Sequence, residues 1–486
     1  MKVKQEETYR SYLQNELDRN ETPAQRKKAA AMKRVDEEPT PEAIEDALTQ
    51  DPLHRKREIE DFLKMLIAVE PPYTFVIDAP WGSGKTFFVK QVARALQMTN
   101  PALSQDSAKP STTFGNIDEE LLKKPYLPIY FNAWEDDHFD NPILPILASI
   151  ASATDEKSVK GGEDFRKGII GAIEAAASLI GYGGDINGVI DNFSGTDFLE
   201  QYKNEKELRG KIDELIKNNL PKMADRAVIF IDELDRCRPE FAIKVLEQTK
   251  TLFQQENIVV VYSTDITQLA HSLQGIYGPR FEGRKYLERF YDKRLELNSI
   301  KIADYLRYKG VNKFDGYIFM DITIDLLNYE QASLRACNRL AEPITNLLDY
   351  ISKHDEYFGS TKLQHFQYHC LLPVLNVLAY YEPLAWHEVK TGAGFSTVYE
   401  LASNSRLFVE LLDEAIEKTW GTRKDELPYH QETESRRSRF IEDVCAAIYS
   451  VSNTDPRIRE LSSIDLDISS HCKKLFQRLA PPSVTK

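Results

Sequence analysis

The hydrophobic pattern changes character twice along the chain. Residues 1–50 are dense in Glu, Lys and Arg and hold few large apolar residues, which predicts a solvated helix or disorder. From Asp51 onward, Leu53, Ile59, Phe62, Leu63, Leu66 and Ile67 recur near helical spacing, with Asp51 as N-cap, Pro52 in the first turn and Pro71-Pro72 as the stop. Tyr73–Ile77 is a short β-prone run ending at Asp78, and after a turn FFVKQVARALQM reads as a helix. LPIYFNAW (Leu127–Trp134) predicts a second strand, and residues 135–150 a helix entered through Asn141-Pro142. Ala227–Ile231 and Ile258–Thr264 are continuous apolar runs, the mark of strands buried on both faces, and Pro239–Phe253 between them is helical. Such alternation predicts an α/β fold: a three-layer core around a parallel sheet. Beyond Leu297 only helical spacing remains, and Leu363–Tyr381 reads as a buried helix pair.

With 486 residues the chain exceeds one compact core. The expected division is a charged segment 1–50, an α/β domain 51–297 with an inserted helical segment at about 151–225, a helical lid 298–350, and a C-terminal helical domain 351–486. A net charge of −14 disfavours generic nucleic-acid binding, and Arg26-Lys27-Lys28 is surrounded by acids. The five cysteines are scattered without a CxxC pair, so neither a disulfide framework nor a zinc knuckle is expected. The start, MKVKQEETYRSYLQ, lacks the apolar core of a signal peptide. Ala175–Gly184 is too short to span a membrane, so a soluble, cytoplasmic protein is expected.

The chemistry centres on Ala79-Pro80-Trp81-Gly82-Ser83-Gly84-Lys85-Thr86, between a strand and a helix. It follows the phosphate-binding pattern GxxxxGK[ST], in which glycines let backbone N–H groups curl around phosphate oxygens. Pro80 through Thr86 form the candidate cradle. Lys85 is expected to reach the β/γ-phosphates and the Thr86 hydroxyl to hold Mg²⁺. Ala79 stands where the pattern has its first glycine. The second signal is VIFIDELDRC (Val228–Cys237), an apolar strand ending in acids. Asp232 is placed to hold Mg²⁺ through water, and Glu233 to polarise an attacking water. Asp235 and Arg236 either orient the metal shell or cap the next helix. An acid pair after a P-loop suits ATP hydrolysis. A guanine-reading NKxD motif is missing, since Thr422-Arg423-Lys424-Asp425 is the nearest match and lies in a polar helical context.

Together WGSGKT, FNAW, DELDRC and Tyr286-Leu287-Glu288-Arg289-Phe290 resemble the KAP family of P-loop NTPases, over about Asp51 to Leu348. The resemblance is to its soluble bacterial branch. It implies an ATPase that works as a conformational switch or motor, and by analogy a role in defence against phages or plasmids. Related ATPases place a polar γ-phosphate sensor where Ser263 and Asp265 end their strand; a strand-end cap fits these residues equally. Arg289 lies on an expected helix 286–291, from which it could reach a neighbouring subunit's γ-phosphate; an ion pair with Glu288 or Asp292 competes. In Ser333–Leu340, Arg335 resembles the lid arginine that touches nucleotide, with a structural salt bridge as the competing reading. A homo-oligomer and a protein partner for the helical C-terminal region are the expected associations, and nucleic-acid binding is left open.

Weaker signals are set aside. Trp81 and Trp134 read as packing residues. His365 and His369 have metal-pair spacing but no third ligand in sequence. Glu388-Val389-Lys390 matches the tail of a nuclease motif without a partner Asp. Two rival functions are a nucleotide-binding scaffold with little turnover and a small-molecule kinase; Glu233 opposes the first and the Asp-Glu pair the second.

Overall fold

The computed structural model describes residues 40–103, 116–153, 167–168, 170–172, 209–214, 216–253, 255–311, 317–353, 365–420 and 429–449. Arg26-Lys27-Lys28, Ala175–Gly184, Thr422–Asp425 and Cys472 lie outside those residues. Residues 1–41 and 42–486 are separate units.

Five strands form one sheet in the order β2-β3-β4-β1-β5, every pairing parallel. They are β1 (Tyr73–Asp78), β2 (Tyr126–Asn132), β3 (Arg226–Asp232), β4 (Ile258–Thr264) and β5 (Lys293–Glu296). Alternation on the pleat divides their side chains between two cores. Val228 and Phe230 join Phe75, Ile77, Val259 and Val261 on one face, while Ile229 and Ile231 join Val76, Val260 and Tyr262 on the other. The first face is covered by α1 (Pro41–Gln50), α2 (Lys56–Ala68), α3 (Lys85–Thr99) and α4 (Asn116–Lys123). The second is covered by α5 (Ile143–Ser152), α6 (Pro239–Leu252), α7 (Ile266–Tyr277) and α8 (Gly283–Leu287). This is a three-layer α/β core, and its strand ends carry both motifs. Because Phe230 is fully buried at its centre, Phe230→Ala should cost about 3–5 kcal/mol in denaturant unfolding. A loss below about 1 kcal/mol would contradict that placement.

Beyond the sheet come α9 (Ile302–Tyr308), α10 (Ile318–Tyr329), α11 (Leu334–Lys353), α12 (Leu372–Tyr381), α13 (Pro383–Thr391), α14 (Ser396–Ala402), α15 (Arg406–Trp420) and α16 (Tyr429–Tyr449). Their buried residues, from Ile302 to Tyr449, share one apolar core. Among the described residues no helix is long and apolar enough to cross a membrane.

Several local expectations change. Helix α2 begins at Lys56, because Asp51 and His54 adopt positive φ and turn the chain. Asp51 still serves that helix end: its Oδ1 accepts the Lys56 N–H at 2.9 Å. Helix α5 starts only at Ile143, whose N–H Asn141 Oδ1 accepts at 3.0 Å. The expected helix 286–291 is instead the end of α8 followed by a 3₁₀ turn, Glu288–Phe290. In place of a helix pair near 363–381, a π-turn at Phe366–Leu371 runs directly into α12. Such a turn shifts the hydrogen-bond ladder just before Pro373, which cannot donate to it.

Candidate active site

The P-loop joins β1 to α3. Gly82 and Gly84 hold φ of 75° and 91°, the left-handed region that favours glycine. A Cβ on Gly82 would lie 2.9 Å from Ser333 Cβ, so the loop also needs glycine for close approach. Ala79 is not among the positive-φ residues, so this turn leaves the strand without needing a glycine there. Buried Lys85 donates to the Ala79 carbonyl at 2.6 Å and lies 3.8 Å from Asp235 Oδ2.

The acids arrive on β3. Register pairs Asp232 with Asn132 of β2 and with Ser263 of β4, and β4 in turn neighbours β1. The sheet therefore inserts one strand between the P-loop and the acid pair. Asp232 is fully buried; its Oδ2 accepts the Tyr130 hydroxyl at 2.9 Å and its Oδ1 the Glu233 N–H at 3.0 Å. Burial and the Asp232 charge push the Tyr130 hydroxyl far above its ordinary value, so it remains a donor. Glu233 has φ 60°. Its Oε1 accepts the Thr86 hydroxyl at 3.2 Å, and its Oε2 lies 2.6 Å from Arg236 Nε. Burial first, and Asp232 second, raise the Glu233 carboxyl above the usual carboxylate range, against the opposing pull of Arg236. Such a shift suits a group that must accept a proton.

Lys85, Thr86, Asp232, Glu233 and Ser263 are thus brought together at the C-terminal ends of β1, β3 and β4. Ser263 is fully buried, and among the described residues its hydroxyl, like those of Ser83 and Thr264, has no hydrogen-bond partner. Asp265 instead caps α7, accepting the N–H groups of Thr267 and Gln268 at 3.0 and 3.1 Å. Helix α11 opens against the loop: the Leu334 N–H donates to the Gly82 carbonyl at 3.0 Å, and Arg335 Cβ lies 3.6 Å from the position of a Cβ on Gly82. Arg289 stands apart, exposed, with its guanidinium 5.6 Å from the Tyr286 ring centroid.

Trp81 and Trp134 do not pack in the core; they are 48% and 52% exposed. Trp81 Nε1 donates to Asp235 Oδ2 at 2.5 Å, and the Trp134 ring lies 5.5 Å from the Arg236 guanidinium. Neither Asp235 nor Arg236 caps α6, whose N-cap residue is Arg238.

Three further contacts escape sequence reasoning. Buried Arg55 donates to the Ser83 carbonyl at 3.2 Å and pairs with Glu58 at 2.5 Å. Within HRKRE nothing distinguishes it from its neighbours. Tyr130 is a second, and strand pairing of FNAW with VIFID was its available signal. The third is the seating of Ser333 and Leu334 on Gly82, which only tertiary packing creates. The His365 and His369 rings lie 4.5 Å apart at a tilt of 37°, and burial pushes His369 down to about 4. Among the described residues no group of three or more His, Cys, Asp or Glu could hold a metal. A P-loop Mg²⁺ would not need one, since phosphate and water supply most of its ligands. Glu388-Val389-Lys390 lies on helix α13.

A family model for the KAP family P-loop domain matches residues 55–306, just over half of the chain. No curated protein matches significantly. Among solved structures, the Aeropyrum pernix ORC1 protein in complex with DNA is similar over 88% of this chain and 86% of that chain, at 15% identity and a TM-score of 0.32.

Proposed function

The chain belongs to the KAP family of P-loop NTPases, and from that premise we propose that it binds ATP with Mg²⁺, hydrolyses it, and uses the cycle as a conformational switch or motor. One observation carries this reading: Lys85, Thr86, Asp232, Glu233 and Ser263 meet at the C-terminal ends of β1, β3 and β4, around buried oxygens that lack partners among the described residues. Among the described residues, the hydroxyls of Ser83 and Ser263 and Asp235 Oδ1 are the atoms without partners there. Buried polar groups seldom stay unpaired, so this end of the sheet suits a polar, phosphate-bearing ligand with its cation.

Bound Mg²⁺ would neutralise charge between the β- and γ-phosphates. Thr86 and Asp232 are the residues to hold it. Lys85 leaves the Ala79 carbonyl for the phosphates, and Glu233 takes the proton of the attacking water. Ser263 and Arg335 meet the nucleotide from β4 and from α11, and Asp265 supports β4 by capping α7. Arg289 serves a neighbouring copy in a homo-oligomer. The helical region after Leu297 presents the nucleotide state to a protein partner, and nucleic acid remains an outcome to assay. A cytoplasmic role in defence against phages or plasmids is the biological setting we favour. The scaffold reading, with little turnover, is the alternative, and the two contacts already made by the Glu233 carboxylate are the observation behind it.

Lys85→Ala tests the binding half. One charge-assisted contact is worth about 1.5–3 kcal/mol, so affinity for a fluorescent ATP analogue should fall about 10–100-fold. The loop has no second cation: buried Arg55 donates to the back of the loop, at the Ser83 carbonyl. Wild-type affinity in Lys85→Ala would remove the P-loop assignment.

A further inference from the structure

Arg236 and Trp134 have no part in the roles above, yet among the described residues they form the one side-chain support of Glu233 that nucleotide loading would leave in place. We propose that Arg236 is the positioning residue that aims the Glu233 carboxylate, and that Trp134 holds Arg236 to that task. The inference rests on Glu233 being the base.

Glu233 needs holding. Its φ of 60° and ψ of 27° are uncommon for a side chain with a Cβ, and such residues persist only where the surroundings over-determine them. The backbone is fixed by the Glu233 N–H, which Asp232 Oδ1 accepts. The carboxylate has two described side-chain partners, Thr86 at Oε1 and Arg236 at Oε2. Thr86 is the residue assigned to Mg²⁺, so its hydroxyl turns away when the site loads. Arg236 then remains the sole described side chain orienting the carboxylate. Its contact with Glu233 is 2.6 Å, with the two side chains 25% and 15% exposed. That differs from a solvated ion pair, which fixes little.

Arg236 is itself held. Its guanidinium sits 5.5 Å from the Trp134 ring, within cation–π range. The Trp134 ring gains little from burial, being 52% exposed. The backbone beneath it is pinned instead: the Trp134 N–H donates to Asn132 Oδ1 at 3.2 Å, and the Ala133 N–H to the Asp232 carbonyl at 3.0 Å. A continuous line of contacts therefore runs from the end of β2 through Trp134 and Arg236 to Glu233.

The test combines turnover, affinity and a spectroscopic signal from the empty protein. Misplacing a reacting group by about 1 Å can cost about 100-fold, so Arg236→Ala should slow phosphate release about 10–100-fold. Its affinity for a fluorescent ATP analogue should stay within about threefold, and Arg236→Lys should recover part of the rate. Trp134→Ala should slow turnover less, and should cost nothing more in the Arg236→Ala background, because one residue acts through the other. In nucleotide-free protein, Arg236→Ala should shift tryptophan emission, and the shift should vanish when Trp134 is Phe. Near-normal turnover in Arg236→Ala while Glu233→Gln is inactive would overturn the positioning role. Fully additive losses, or an emission shift that survives Trp134→Phe, would overturn the coupling to Trp134. A Glu233→Gln protein with normal turnover would remove the base itself, and the positioning role with it.

Discussion

Glu233→Gln should bind Mg·ATP as the unaltered chain does and release phosphate about 10²–10⁴-fold more slowly, the usual contribution of a positioned general base. The amide keeps the shape of the carboxylate and one acceptor oxygen, so in the empty site it can still take the Thr86 hydroxyl at the present Oε1. What it loses is a basic oxygen. Burial and the adjacent Asp232 hold the carboxylate above its ordinary range, which increases its appetite for a proton. That gain vanishes with the charge, whereas the contacts proposed for Lys85 with phosphate would not depend on it. The measurement pairs phosphate release with equilibrium binding of a fluorescent analogue. Unchanged release with unchanged binding would take Glu233 out of the base role and favour the scaffold reading.

The sheet was legible because its inner strands are long apolar runs. Ile258–Thr264 matches β4 residue for residue, and Ala227–Ile231 lies within β3. The edge strand β5, Lys-Arg-Leu-Glu, was not legible. Among the described residues it pairs only with β1, exposes three of its four residues, and carries charges that the pattern assigns to a loop. Edge strands are often charged in this way, since charge discourages pairing with another chain. The start of α2 misled for a related reason. Asp51-Pro52 has the composition of a helix start, but positive φ at Asp51 and His54 delays the helix to Lys56.

At the site, the P-loop and the acid pair were legible because each is a local word with a fixed backbone requirement. The contacts that arm them were not. Trp81 with Asp235, Thr86 with Glu233 and Leu334 with Gly82 join residues separated by roughly 150 to 250 positions. An expectation of packing for Trp81 and Trp134 fails because a large ring can be useful at the surface when its polar edge or its face engages a charge.

Arg289→Ala should leave ATP affinity unchanged and slow hydrolysis about 10³–10⁵-fold, the span associated with an arginine that completes a neighbour's site. Arg289 is exposed and rests on the Tyr286 ring, and its carbonyl accepts from Lys250. Among the described residues it makes no ion pair with Glu288 or Asp292, the arrangement that would have tied it down. A stacked guanidinium keeps its N–H groups available for an anion, since the ring face holds the cation without consuming donors. Its segment follows α8, which comes after α7, the helix that Asp265 caps at the end of β4. Magnitude separates the readings: loss of a surface contact changes rate little, at about 0–1 kcal/mol, while loss of a finger removes several kcal/mol. Mixing supplies the sharper check. Lys85→Ala subunits carry an intact Arg289 and a disabled P-loop, so adding them to Arg289→Ala subunits should restore turnover in the mixed assembly. Mass measurements should show that assembly growing when ATP is present. A chain that hydrolyses ATP efficiently as a monomer, or an Arg289→Ala protein with near-normal turnover, would leave Arg289 a surface residue and the site complete within one copy.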